Sequence, residues 1–239
     1  DLATGNILLS VGESSEGTAA DLTLNASVIS TSGHISLVAK DSITLSATDG
    51  DITTSGSGKT IDLKADAAIS MGDGALAQSN DGNVRYEATA GNITLGEIST
   101  GTAGTTTGKV VIIATAGSIL DLGVDTSTVD ITAADLIMTS GTAIGAGSNL
   151  LEVNVDNLST RSANGGTFIS ESDSLTVTQL SVSIERVSMT GATSTSTERP
   201  IGAVNQFGSP RNASAAVVAN DNRKAIRVAV GAEIVSRSG

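Results

Sequence analysis

Three Asp-Gly pairs, Asp49-Gly50-Asp51, Asp73-Gly74 and Asp81-Gly82, offer the carboxylate oxygens from which a calcium site is built, an ion that takes about six to eight oxygen ligands. The strict Gly-Gly-x-Gly-x-Asp repeat of calcium-binding rolls is absent, and Asp-Gly is also the ordinary composition of a tight turn. His34 is the single histidine, so sites built from several histidines are excluded, and general base catalysis would need a nucleophile and a carboxylate placed beside it. Gly56-Ser57-Gly58-Lys59-Thr60 ends like a phosphate-binding loop, but Thr53 stands where that loop requires glycine and no helical pattern follows. Gly72-Asp73-Gly74-Ala75-Leu76-Ala77 fits the loose dinucleotide spacing, again without the helix whose N-terminus would hold a pyrophosphate. No cysteine is present, which removes thiolate catalysis, disulfides and Cys-ligated zinc. Polysaccharide-cleaving chemistry uses paired carboxylates beside aromatic sugar platforms, and the only aromatic residues are Tyr86, Phe168 and Phe207. Outward Thr44, Thr53, Thr94 and Thr132 raise a water-ordering, ice-binding ladder that Asp62, Ser70 and Arg85 interrupt. The expectation is a chain with no catalytic, cofactor-binding or metal residues, in which calcium at the Asp-Gly turns is the one ion the sequence suggests.

Nearly all of these residues punctuate a recurring phrase, in which a turn residue is followed by a β-branched residue and then by an apolar one two places on. It reads Gly33-His34-Ile35-Ser36-Leu37, Asp41-Ser42-Ile43-Thr44-Leu45, Lys59-Thr60-Ile61-Asp62-Leu63, Gly82-Asn83-Val84 and Gly91-Asn92-Ile93-Thr94-Leu95. His34 thus holds the corner place that Asn, Asp or Ser holds in its sister phrases. Leading apolar residues recur every eight or nine positions, at 35, 43, 52, 61 and 69, then 84 and 93, then 110 and 119. Apolar, polar, apolar over three residues is the alternation of a short strand, and recurring glycine argues against helix. Short identical units bury their apolar face only by stacking on one another, so the phrase predicts an all-β chain folded as a parallel β-helix, a β-solenoid. With two or three strands per coil, each coil takes about 17 to 27 residues, which puts about 7 to 11 coils in residues 1–185. The segments Met71–Asp81 and Gly101–Thr107 are expected to loop out, and 141–147 to be a corner.

The 239 residues carry a net charge of −12, with 13 Lys plus Arg against 25 Asp plus Glu. Such a balance opposes nucleic-acid binding, which needs a basic face. No apolar run approaches the ~18 residues of a membrane-spanning helix. Charge is unevenly placed: residues 1–185 hold 6 basic and 22 acidic side chains, a net of −16, whereas residues 186–239 hold 7 and 3, a net of +4. Both prolines, Pro200 and Pro210, fall in the second stretch, after the Ser/Thr run Thr190–Thr197, which reads as a linker. The expected division is therefore coils over 1–182 and, over 183–239, an irregular segment that links onward or covers the solenoid end. The chain opens at Asp1 within a repeat and without a leader, and reads as a piece of a longer protein.

Gly91-Asn92-Ile93-Thr94-Leu95-Gly96, Gly117-Ser118-Ile119-Leu120-Asp121 and Gly165-Gly166-Thr167-Phe168-Ile169-Ser170 resemble repeats of filamentous-haemagglutinin-like proteins, very large bacterial surface or secreted proteins with right-handed parallel β-helical shafts. The resemblance covers about residues 1–180, and the Asn-Pro-Asn-Gly phrase of the family's secretion domain is missing. It implies an extracellular or cell-surface location and a non-enzymatic role as a shaft segment that contributes to adhesion. The implied partners are neighbouring modules of the same long chain, with host or bacterial surface glycans or proteins beyond them. The alternatives are a carbohydrate- or host-protein-binding module using loops on the solenoid and, more remotely, a polysaccharide-acting enzyme.

Overall fold

The computed structural model describes residues 5–13, 15, 17–123 and 128–198, together with the backbone of short strands at 2–3, 204–206, 215–219, 226–228 and 234–235. Among them there is no helix, and all but one of the strand pairings between elements are parallel. The chain is a parallel β-helix of about six turns. Each coil contributes three strands, one to each of three faces.

The first face stacks Val28–Ser30, Ile52–Ser57, Leu76–Asn80 and Glu97–Ser99. The second stacks Ile7–Val11, Ile35–Ala39, Ile61–Ala65, Val84–Ala88 and Lys109–Ala114. The third stacks Leu22–Leu24, Ile43–Leu45, Ile69–Met71, Ile93–Leu95 and Ile119–Asp121. In the next coils the strands Ile131–Ser140 and Leu151–Ser162 run through the corner, pairing first with the first face and then with the second.

On the second face, Ile7, Ile35, Ile61, Val84, Val110, Leu136 and Leu158 lie in one column, at sequence steps of 28, 26, 23, 26, 26 and 22 residues. The eight- or nine-residue step of the sequence is thus the distance from face to face, and three steps close a coil. Because a coil takes more chain than most of the range expected, there are fewer coils; six steps at ~4.8 Å give about 29 Å of axis.

Alternation explains the core. Ile35, Leu37 and Ala39 point inward, as do Ile61, Leu63 and Ala65 above them, and all are fully or almost fully buried. The third inward column is of smaller residues, Ala39, Ala65, Ala88 and Ala114, followed by Ser140 and Ser162, where each strand ends at a corner. The adjoining corner is held by hydroxyls: Ser30 donates to the Gly5 carbonyl at 2.9 Å, Thr54 to Gly33 at 2.8 Å and Ser79 to Gly82 at 2.6 Å. These hydroxyls are buried, so bonding a carbonyl inside the corner spares the cost of an unpaired polar group. Glycine is required where coils meet most closely: a Cβ on Gly33 would stand 2.0 Å from the Gly5 carbonyl oxygen, and one on Gly117 would stand 2.1 Å from that of Gly91.

Three expectations change. Residues 71–81 do not form a loop, because Leu76–Asn80 is a first-face strand with Ala77 and Ser79 buried; the two Asp-Gly pairs that flank it are the corners. The stretch 141–147 is not only a corner, since Ala143–Ile144 supplies a third-face strand with Ile144 in the core. Within the Ser/Thr run read as a linker, residues 193–197 are in strand: Thr193–Glu198 pairs antiparallel with Val182–Val187. Gly101–Thr107 does leave the coil between the first and second faces, with 102–105 exposed and Thr106 turned in and buried.

Parallel pairing does not stop at residue 182. Val204–Gln206 lies against Leu151–Ser162, Ala215–Ala219 against Gly166–Glu171 and Ile226–Val228 against Leu175–Val177. The hairpin at 182–198 is therefore an insertion between coil strands.

Candidate functional site

The hairpin lies along the second face and crosses the coils. Val182 and Ile184 pack on Val111 and Ile137, outward residues of two successive coils, in an apolar cluster separate from the solenoid interior. Beyond it comes a buried charge network. Arg85 is paired with Asp62 at 2.9 Å and with Glu87, and its Nε lies 3.0 Å from a Glu198 oxygen. From the hairpin, Arg186 donates through Nε to the other Asp62 oxygen at 3.0 Å. The Arg85 and Asp62 side chains are only 4% and 3% exposed, so each charge depends on its partners in place of water.

The hairpin backbone is received by the polar corner column. Asn83 donates to the Ser183 carbonyl at 2.8 Å, Thr60 to Glu185 at 2.6 Å and Asn6 to Gly191 at 2.9 Å, while the Val187 amide donates to Ser36 Oγ at 2.9 Å. His34 belongs to this column. Its Nδ1 accepts the Thr60 amide at 3.0 Å, which favours the neutral ring, and burial, aided by the Lys59 charge, holds its pKa below the usual histidine value. His34 is thus a corner residue, and it also holds one of the hairpin's anchors in position.

The Asp-Gly carboxylates do not converge. Asp51 caps the Leu76 amide at 2.9 Å, and Asp81, at φ 59°, receives the Thr107 amide at 3.0 Å and the Thr106 hydroxyl at 3.0 Å. Asp73 lines a different cleft, of about 180 Å³, together with Glu97, Asp121 and Asp130. Here Asp121, Asp130 and Glu152 bring carboxylate oxygens within 4.8 Å of one another, the one such grouping among the described residues with ligand types suited to a hard cation. N–H donors already engage these groups: Asp121 accepts from Gly123 N at 2.8 Å and Asn149 Nδ2 at 2.9 Å, and Asp130 from Glu152 N at 2.8 Å. The sequence held a signal for this site. Asp121 stands in the column of Leu24, Leu45, Met71 and Leu95, so the phrase Ile119-Leu120-Asp121 departs from Ile-x-Leu where the cluster forms.

On the first face an open cleft of about 370 Å³ is lined by Thr53, Ser55, Gln78, Asn80, Gly101 and Thr102, with no charged group. The other two glycine-rich motifs are structural: 58–60 turns a corner, and Gly72-Asp73-Gly74 leads into the strand Leu76–Asn80. Thr44 and Thr94 sit in one outward file on the third face with Thr23 and Ser70, whereas Thr53 and Thr132 belong to the first face. Asp62 and Arg85, read as interruptions of one ladder, lie on the second face. Glu171 is fully buried and accepts the Asp173 amide at 3.1 Å and the Val155 amide at 3.3 Å; burial pushes its carboxyl up to about 7.

The chain matches no protein family, curated protein or solved structure with which it was compared. No helix among the described residues is long and apolar enough to cross a membrane.

Proposed function

We propose that this chain is a non-enzymatic shaft segment of a large secreted or cell-surface protein of filamentous-haemagglutinin-like type, a stiff spacer that carries adhesive modules away from the cell. The observation that carries the reading is the unbroken inward stacking, Ile7 through Leu158 in one column and Leu9, Leu37, Leu63, Tyr86, Ile112 and Met138 in the next. Each coil shares a parallel ladder with the next on every face, so the load-bearing direction and the hydrogen-bonded direction coincide. Neighbouring modules of the same chain are its partners in this reading.

The first-face cleft favours a second reading, in which the chain also binds an uncharged glycan or a host protein. Its hydroxyl and amide side chains beside the protruding 101–107 turn offer neutral hydrogen bonding without a sugar-stacking aromatic. Binding of the purified chain to a glycan array and to cell surfaces, with calcium and with chelator, separates the two. A passive spacer gives no saturable binding in either buffer. Saturable binding that is lost in Gln78→Ala and Asn80→Ala variants moves the function to the cleft.

A further inference from the structure

In a repeat solenoid each coil touches only its neighbours, so stability is a sum of local terms and the array can open piecewise from an end. The hairpin at 182–198 departs from that rule. Counting coils by their second-face strands, it bonds Asn6 in the first, Ser36 in the second, Thr60 and Asp62 in the third and Asn83 in the fourth. It then packs on Val111 in the fifth and Ile137 in the sixth. The hydrogen bonds among these contacts join residues 100 to 185 positions apart in sequence.

The way the hairpin enters the fold is informative too. Leu158 pairs with Val177 and Arg161 with Asn205, so the single strand Leu151–Ser162 is matched in the next coil by two pieces, Leu175–Val177 and Val204–Gln206. Only Ser159 and Thr160 lie between the two registers, and Thr178 and Val204 are the residues that fall opposite them. Residues 179–203 therefore interrupt one strand in the sequence, and the described part of this excursion, 179–198, is folded back over six earlier coils.

We propose that the hairpin is a longitudinal staple that makes the first six coils open and close as one cooperative unit. Separating any two adjacent coils among the six requires peeling the hairpin from at least one side, because its anchors are distributed one or two to a coil. Its ends are fixed in the later coils, so it spans the six without belonging to their ladder. The inference stands on these contacts and not on the shaft reading; a binding module stapled in this way would behave the same.

Native-state hydrogen exchange, read by mass spectrometry on the whole chain, tests it. In the unaltered protein, amides of Ile35–Ala39 and Lys109–Ala114 are expected to share one opening event, with rates within about threefold and the same denaturant dependence. Deleting residues 179–203 joins Thr178 to Val204 in register and alters no residue of the six coils; Ile184→Asp instead disrupts the hairpin's apolar anchor with the chain intact. In a folded variant, exchange in Ile35–Ala39 is expected to rise at least tenfold relative to that in Lys109–Ala114. Independent opening of the two strands in the unaltered protein overturns the proposal, as does a ratio unchanged within threefold in either variant that folds.

Discussion

On the second face the first outward residues of successive strands read Ser36, Asp62, Arg85, Val111 and Ile137, and all are buried; on the third the outward residues read Thr23, Thr44, Ser70 and Thr94, and Thr23 and Thr44 are exposed. The inward residues beneath the two rows are nearly interchangeable, Ile and Leu in both. An outward position on a solenoid is thus free to become surface or interface, and the content of the column decides which. Small hydroxyls in single file, with Thr94 donating to Ser70 at 3.0 Å, are satisfied by one another and by water. Apolar groups and opposed charges in file leave a strip that is stable only when something covers it, and the inserted hairpin supplies the cover.

Arg85→Ala should open the largest gap between the faces. It leaves the Asp62 carboxylate buried with one partner fewer, and urea unfolding is expected to show a loss of about 3–5 kcal/mol. Ile137→Ala removes the hairpin's apolar footing and should cost about 2–3 kcal/mol, whereas Leu120→Ala, outward on the third face, should cost well under ~1 kcal/mol. An equal cost at both positions would mean that the hairpin does not bury the second face in solution.

Acid and base should act on the two ends of the comparison with opposite sign. His34, under the hairpin, has a folded pKa below its unfolded value, so its contribution is present above pH ~6.5 and is lost as the pH falls below that. Glu171, away from the hairpin, has its folded pKa raised from 4.5 to about 7, so its contribution is present below pH 4.5 and is lost as the pH rises through about 7. Stability measured from pH 4 to 8 in His34→Gln should lose the rising component, and in Glu171→Gln the falling one. At the small end, Thr94→Ala should change stability by less than ~0.5 kcal/mol, the value for a surface position with nothing above it.

Much of the fold was legible because a strand reports its environment every second residue. Ile-x-Leu beside Gly-Asn or Asp-Ser marks a strand and its corner whatever else the chain does, and its recurrence requires stacking. Other features were not legible for reasons of the same kind. Leu76-Ala77-Gln78-Ser79-Asn80 has an inward Ala77 where its sisters have Ile or Val, and so resembled a loop although its backbone pairs on both sides. Thr193-Ser194-Thr195-Ser196-Thr197 has no apolar residue to betray a strand; its partner Val182–Val187 carries the buried side of the hairpin. Asp121, Asp130 and Glu152 are separated by 9 and 22 positions in sequence, and only coil closure puts their oxygens together.

The sequence by itself determined the coil: its strands, its corners, its interior of Ile, Leu, Val and Ala, and its net acidic charge. These are local or periodic properties, each set within a few residues and repeated. The tertiary structure alone decided which outward residues meet. Asp62 and Arg85 look like two unrelated surface charges in the chain, and Asn6, Thr60 and Asn83 like ordinary turn residues, until a hairpin inserted about 100 to 190 residues later lies down across them. A one-dimensional periodicity specifies how each coil stacks on the next, and it carries no information about a segment that returns across the stack.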